Sequence, residues 1–332
     1  MVPVFQWAFR GFYIIEQNQA NKEPNLAHEE SVKLEGTFLP VTTPFDPVTG
    51  DVDYAAFGAN LCRWFDSPIR GILIAGSTGE SVFLDEGERS KLIEEARAVV
   101  PDEALVIAGT GSEATRHTIQ LTQQAADAGA DAVLVSPPAY FKGAMTQETL
   151  ISHYGAVADA SPVPVLIYQV PLRLSTIEFS TGLVATLSGH PNIIGIKDSR
   201  GEIGLLVELV EQSADGFQVL TGNGSVLYPA LGIGAVGGIV AVGLMAADQA
   251  ANISVAFREG RLKEAERLQE QIASVNQSIV AGMGVPGIKA ALDLLGFSGG
   301  GPRPPLTPVS ELRIEEVKGI LETADLLECV GV

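Results

Sequence analysis

Three features of the 332-residue sequence predict an α/β protein, a (β/α)8 TIM barrel with a C-terminal helical extension. From residue 36 onward, short β-type runs alternate with amphipathic segments, the pattern of a parallel sheet with crossover helices. Eight such runs can be counted, the number that closes a barrel. One of them, Ile193-Ile194-Gly195-Ile196, is unbroken apolar sequence, as suits a strand covered on both faces, and it stops abruptly at Lys197-Asp198-Ser199.

The strands are expected at 37–42, 71–75, 105–109, 132–136, 165–168, 193–197, 218–221 and 235–241. Between them, helical patterns occupy 54–65, 86–100, 114–128, 147–160, 180–187, 203–212 and 225–231, and 246–259 follows the last strand. Gly129, Gly189 and Gly260 stand where left-handed C-caps would end the third, fifth and eighth helices. Beyond Arg261 the pattern stays helical through Val280, resumes over 286–295, crosses a Gly/Pro-rich stretch at 296–308 and ends in a helix over 310–327. The expected organisation is thus an N-terminal extension (1–33), a catalytic barrel (34–260) and a helical region packed on it (261–332).

Composition removes several function classes. A formal net charge of -19 argues against nucleic acid and anionic membrane as partners, since both need clustered Lys and Arg. No stretch approaches the ~18 uninterrupted apolar residues of a membrane span. The apolar opening, 1–15, is broken by Gln6, Arg10 and Gly11 and lacks a basic start and a small-residue cleavage site, and 17–30 is too acidic for a transit peptide. Cys62 and Cys329 sit near opposite ends, offering neither a disulfide framework nor zinc spacing, so a reducing, cytoplasmic setting is expected. His28, His117, His153 and His190 show no ligand spacing, and no metal or cofactor is expected.

In such barrels chemistry is done at the C-terminal ends of the strands. Lys197 ends the sixth, where desolvation would lower its pKa and free a nucleophilic amine; the alternative is a lysine that snorkels to water or pairs with Asp198. After the second strand, Gly76-Ser77-Thr78-Gly79-Glu80 places two hydroxyls between glycines, which suits amides converging on a carboxylate but also an ordinary turn. Tyr140 follows the fourth strand and Tyr168 ends the fifth, as proton relays or as packing residues. Arg173, shortly after, could fork onto a carboxylate. Gly222 and the Gly237-Gly238-Ile239 run lie after the seventh strand and in the eighth, where many barrels bind phosphate, so a phosphosugar enzyme competes.

Taken together, Gly76-Ser77-Thr78-Gly79-Glu80, Tyr140, Tyr168-Gln169-Val170-Pro171, Gly195-Ile196-Lys197-Asp198-Ser199 and the Arg303-Pro304-Pro305-Leu306 ending resemble the dihydrodipicolinate synthase/N-acetylneuraminate lyase family over about residues 35–328. The resemblance implies a lyase in which Lys197 forms a Schiff base with pyruvate or a pyruvate-derived 2-oxo acid. It implies that Tyr168 is the general acid/base, that Ser77 and Tyr140 complete the relay, and that Ser77, Thr78 and Gly79 hold the pyruvate carboxylate while Gly222 and Ile239 line the pocket. It also implies a homotetramer in which Tyr140 acts across a subunit contact. Arg173 matches the arginine with which the synthases hold an aldehyde's carboxylate, so the implied partner of pyruvate is a small aldehyde such as aspartate semialdehyde. Gln169 stands where Asn is usual, and several stretches, among them His153-Tyr154 and Gly284-Val285-Pro286-Gly287, resemble 4-hydroxy-2-oxoglutarate aldolase, the alternative reading.

Overall fold

The computed structural model describes residues 32–327. Eight parallel strands close a barrel in sequence order: β1 (Gly36–Pro40), β2 (Gly71–Ile74), β3 (Leu105–Gly109), β4 (Ala132–Val135), β5 (Val165–Gln169), β6 (Ile193–Asp198), β7 (Gln218–Thr221) and β8 (Gly237–Ile239). The alternating helices are α1 (Tyr54–Trp64), α2 (Glu86–Val99), α3 (Thr115–Asp127), α4 (Gln147–Ala160), α5 (Thr181–Ser188), α6 (Ile203–Gln212), α7 (Leu227–Gly232) and α8 (Ala247–Arg258). Then come α9 (Leu262–Val275), a π-helical turn (Asn276–Ala281), α10 (Gly284–Leu294) and α11 (Glu311–Thr323). The expected extension falls almost wholly on residues 1–31, outside the described residues. The chain enters the barrel at Val32 and Leu34, whose carbonyl and amide are clamped by the Gln218 carboxamide at 2.9 and 2.7 Å.

Local sequence explains where the helices begin. Asp53, Thr146, Ser180 and Ser310 cap α1, α4, α5 and α11 by accepting from an amide of the first turn. Asp85 and Glu88 form a capping box on α2. The ends are less faithful to sequence. Gly129 and Gly260 take the left-handed conformation, but Gly189 stays right-handed (φ -74°), because its amide and that of His190 close the helix end on the carbonyls of Thr186 and Leu187. The helix expected through Val280 is α-helical only to Val275. β8 shrinks to three residues, since the chain turns into a 3-10 helix at Ala241.

Two apolar layers result. Leu, Ile and Val on the outer face of the strands pack against the helices, and a second set fills the lumen: Phe38, Leu73, Ile107, Leu166, Leu220 and Ile239. Each such buried side chain contributes about 1.5–3 kcal/mol by leaving water, so the lumen is a packed core and no pore. Tyr168 belongs to this inner layer, near its C-terminal end.

Candidate active site

Strand alternation sends Lys197 inward and Asp198 outward. The two side chains meet different fates. Asp198 is held by Arg200, which donates Nε and Nη2 to one carboxylate oxygen at 2.9 and 2.5 Å and its backbone N–H to the other at 2.8 Å. Lys197 is 4 % exposed and, among the described residues, makes no ion pair. It therefore neither reaches water nor pairs with Asp198. Burial with no compensating anion pushes its ammonium down to about 7.

Tyr168 is opposite Lys197 in the β5–β6 ladder, and the lysine nitrogen lies 4.7 Å from the centre of its ring. Burial raises the phenol's pKa; hydrogen bonding by Ser77 and Ser199, and the charge of Arg173, pull the other way. The Ser77 hydroxyl is 3.5 Å from the Tyr168 hydroxyl, the long end of a hydrogen bond, as open sites commonly show before substrate tightens them. A cavity of about 30 Å3 lies beside both, lined also by Arg89, Gly111 and Ser136.

The 76–80 loop is a tight turn in which the amides of Gly79 and Ser81 donate to the Gly76 carbonyl and that of Glu80 to the Ser77 carbonyl. Among the described residues the amides of Ser77 and Thr78 donate to no group, which leaves two adjacent donors for an anion. Gly79 is confined, since a Cβ there would sit 2.9 Å from the Val41 carbonyl. Gly222 is more so: a Cβ would fall 1.9 Å from the Ser199 hydroxyl and 2.8 Å from the Lys197 Cε, so any side chain would displace the lysine. The amides of Gly222, Asn223 and Ser225 are bonded to Asp198, Thr221 and Asn223, which occupies three of the donors a phosphate would need after β7. Ile239 is fully buried in the lumen below.

Two expected residues stand apart within the single chain. Tyr140 is 80 % exposed, packs edge-on against Phe141, and is fixed through its backbone by the Glu113 carboxylate. Arg173 is exposed on the loop after β5 and donates Nη1 to the carbonyls of Val280 and Ala281, at 3.2 and 2.7 Å. It lines an outer hollow of about 240 Å3 with Pro171, Ser199, Arg200 and Glu202. Gln169 pins that same loop: its amide donates to the Val170 and Ile177 carbonyls and its oxygen accepts from Phe179. The contacts of Gln169 escape sequence reasoning because they are made to backbone atoms, and the Asp198–Arg200 pair is hinted at only by Asp-Ser-Arg at a strand end.

Fold and site thus define a barrel with a desolvated lysine beside a phenol and a free pair of amides, the equipment of a Schiff-base lyase. Comparison with known proteins agrees. The chain belongs to the dihydrodipicolinate synthetase family, whose model matches residues 33–324, and it is a lyase, a pyruvate-dependent aldolase of that family. It is 32 % identical over 282 residues to 4-hydroxy-tetrahydrodipicolinate synthase 2 of Halalkalibacterium halodurans, covering 85 % of this chain and 95 % of that one. It is 36 % identical over 281 residues to a probable mitochondrial 4-hydroxy-2-oxoglutarate aldolase of Emericella nidulans, covering 83 % and 90 %. Among solved structures, a prophage protein of the family from E. coli K12 in complex with pyruvate superposes with a TM-score of 0.83 at 30 % identity, covering 89 % of this chain and all of that one.

Proposed function

We propose that the chain joins pyruvate to a carboxylate-bearing aldehyde, in the manner of a dihydrodipicolinate synthase acting on aspartate semialdehyde. The observation that carries this reading is the buried, unpaired Lys197 amine beside Tyr168. The neutral amine attacks C2 of pyruvate, and the carbinolamine loses its hydroxyl as water with a proton from Tyr168. The Tyr168 phenolate then takes a proton from C3, and the enamine's electron pair forms the new bond to the aldehyde carbon while that proton passes to the aldehyde oxygen. Water hydrolyses the imine to release the product and restore the Lys197 amine. The imine is itself the electron sink. Ser77 and Thr78 hold the pyruvate carboxylate and Ser77 passes protons with Tyr168, while Gly79, Gly222 and Ile239 shape the space around them.

Arg173 supplies a cation at the outer end of the site, where the acceptor's carboxylate would lie. A charged hydrogen-bond partner of this kind is worth about 1.5–3 kcal/mol, so Arg173→Ala is expected to raise the acceptor's KM by roughly ten- to a hundredfold. The rate of pyruvate imine formation should stay near that of the parent, and Arg173→Lys should rescue poorly, because a point charge lacks the planar fork. Unchanged kinetics with every acceptor would show that Arg173 serves only the Val280 and Ala281 carbonyls. The second reading, cleavage of 4-hydroxy-2-oxoglutarate, is favoured by the 36 % identity to the fungal aldolase. Pyruvate with aspartate semialdehyde, run against release of pyruvate from 4-hydroxy-2-oxoglutarate, decides between them.

Tyr140, exposed at the rim, completes the relay from a second copy of the chain, in a homotetramer built from dimers. Mixing two inactive proteins, Tyr140→Phe and Lys197→Met, is then expected to restore part of the activity in hybrids. A fully active monomer in light scattering would contradict this.

A further inference from the structure

Glu80 closes the 76–80 loop in the left-handed conformation (φ 57°, ψ 36°), which a glutamate rarely adopts. Ala75, at the loop's other end, does the same (φ 51°). Backbone of this kind persists only where its surroundings impose it. At Glu80 the constraint comes from the far end of the chain. Its carboxylate, 2 % exposed, is held by the Lys289 ammonium of α10 at 2.6 Å and by the Arg303 backbone N–H at 2.8 Å.

Both holders are themselves fixed. Lys289, 1 % exposed, donates to the Gly301 carbonyl at 2.9 Å and lies 4.5 Å from the centre of the Phe45 ring. Arg303 covers that ring at 4.3 Å and forks onto Glu88 of α2 at 2.6 and 2.7 Å. The Glu80 amide donates to the Ser77 carbonyl at 3.2 Å, so the chain of contacts runs from α10 to Ser77 without a gap. A buried ion pair is a poor device for stability alone, because desolvation offsets attraction and apolar side chains of like volume serve as well. It is well suited to fixing one arrangement of a loop.

We propose that Lys289 and Arg303 are positioning residues for pyruvate: acting through Glu80, they hold the 76–80 loop in the one conformation that keeps the Ser77 and Thr78 amides free for a carboxylate. The proposal rests on the pyruvate reading of the site. It also gives the helical block after the barrel a part in catalysis beyond covering the sheet.

The test is the double variant Glu80→Gln/Lys289→Met, which preserves volume and leaves no lone buried charge. The readout is the pyruvate concentration giving half-maximal borohydride trapping on Lys197, with thermal melting as the control for folding. That concentration is expected to rise about tenfold or more, as for loss of a charge-binding contact, in a protein that melts near the parent temperature. Lys289→Arg, which keeps the charge, should fall between. A folded double variant with unchanged half-saturation overturns the proposal. If the double variant does not fold, Glu80→Asp carries the test: it keeps the charge but draws the carboxylate back, and raised half-saturation supports the latch while an unchanged value overturns it. Calorimetric titration with pyruvate repeats the comparison without the covalent step. A parent protein that binds pyruvate but cannot be trapped sinks the imine reading and leaves the latch standing or falling on its own.

Discussion

Incubation with pyruvate and borohydride is expected to leave a reduced adduct on Lys197 and on no other lysine, and Lys197→Met is expected to abolish both the adduct and turnover. Only a covalent nitrogen linkage survives the treatment, so peptide mass spectrometry decides the matter. An adduct elsewhere, or none, would remove the central claim. The pH dependence follows from burial. Because the amine loses its proton near pH 7, trapping at low pyruvate should rise with pH through about 7 and then level, whereas an ordinary lysine would still be rising at about pH 9–10. Stability should move in a related way. From about pH 7 upward the folded chain holds this amine neutral, while the unfolded chain keeps the proton to about 10.4; unfolding therefore takes up a proton and stability rises with pH across that window. Below pH 7 the buried ammonium exacts its full cost. Lys197→Met should accordingly melt no lower than the parent, with the widest gap below pH 7.

The barrel was legible because each level of the sequence points the same way. Apolar runs of four to seven residues, glycine stop signals such as Gly129 and Gly260, and eight alternations leave few other architectures. What strayed were the places where the bonds actually made, local or distant, overrule the residue pattern. Gly189 is free to turn left-handed and does not, since the carbonyls of Thr186 and Leu187 already have partners. The helical pattern through Val280 conceals a π turn, whose Val280 and Ala281 carbonyls accept from Arg173. No periodicity records a bond made to a loop 107 residues earlier.

The site divides along the same line. The places of Lys197 and Tyr168 were legible because each stands next to the C-terminal end of its strand, and position on a strand is local information. Lys289 was not, although a single lysine in the apolar run 286–292 was a signal. Its partner Glu80 was visible only as the last letter of a glycine-rich turn, and what joins the two is the path of the chain between residues 80 and 289. Tyr140 shows the converse: it stands out in the motif, yet the single chain leaves it 80 % exposed at the rim, and only the proposed assembly would cover it.

Replacing Tyr168 with Phe is expected to lower turnover by about a hundredfold or more, about 2.7 kcal/mol in the barrier, as for a positioned general acid/base. The ring and its packing in the lumen survive the change, so the loss would fall on proton transfer. Stability should scarcely alter, since the hydroxyl's contact with Ser77, at 3.5 Å, is too long to contribute the ~1 kcal/mol of a good hydrogen bond. Tyr154→Phe supplies the opposite case. That tyrosine is wholly buried between the sheet and α4, and its hydroxyl donates to the Val135 carbonyl at 2.8 Å, outside the lumen. Deleting it should cost about 1 kcal/mol of stability, read from denaturant midpoints, with turnover near that of the parent. If both variants lose stability and neither loses turnover, Tyr168 is a packing residue like Tyr154 and another group must carry the proton to the departing water. If Tyr168→Phe is slow only at the steps after trapping, the phenol acts on C3 or on the aldehyde oxygen, and the single-turnover rate of imine formation, measured beside steady-state turnover, separates that outcome from a defect in making the imine.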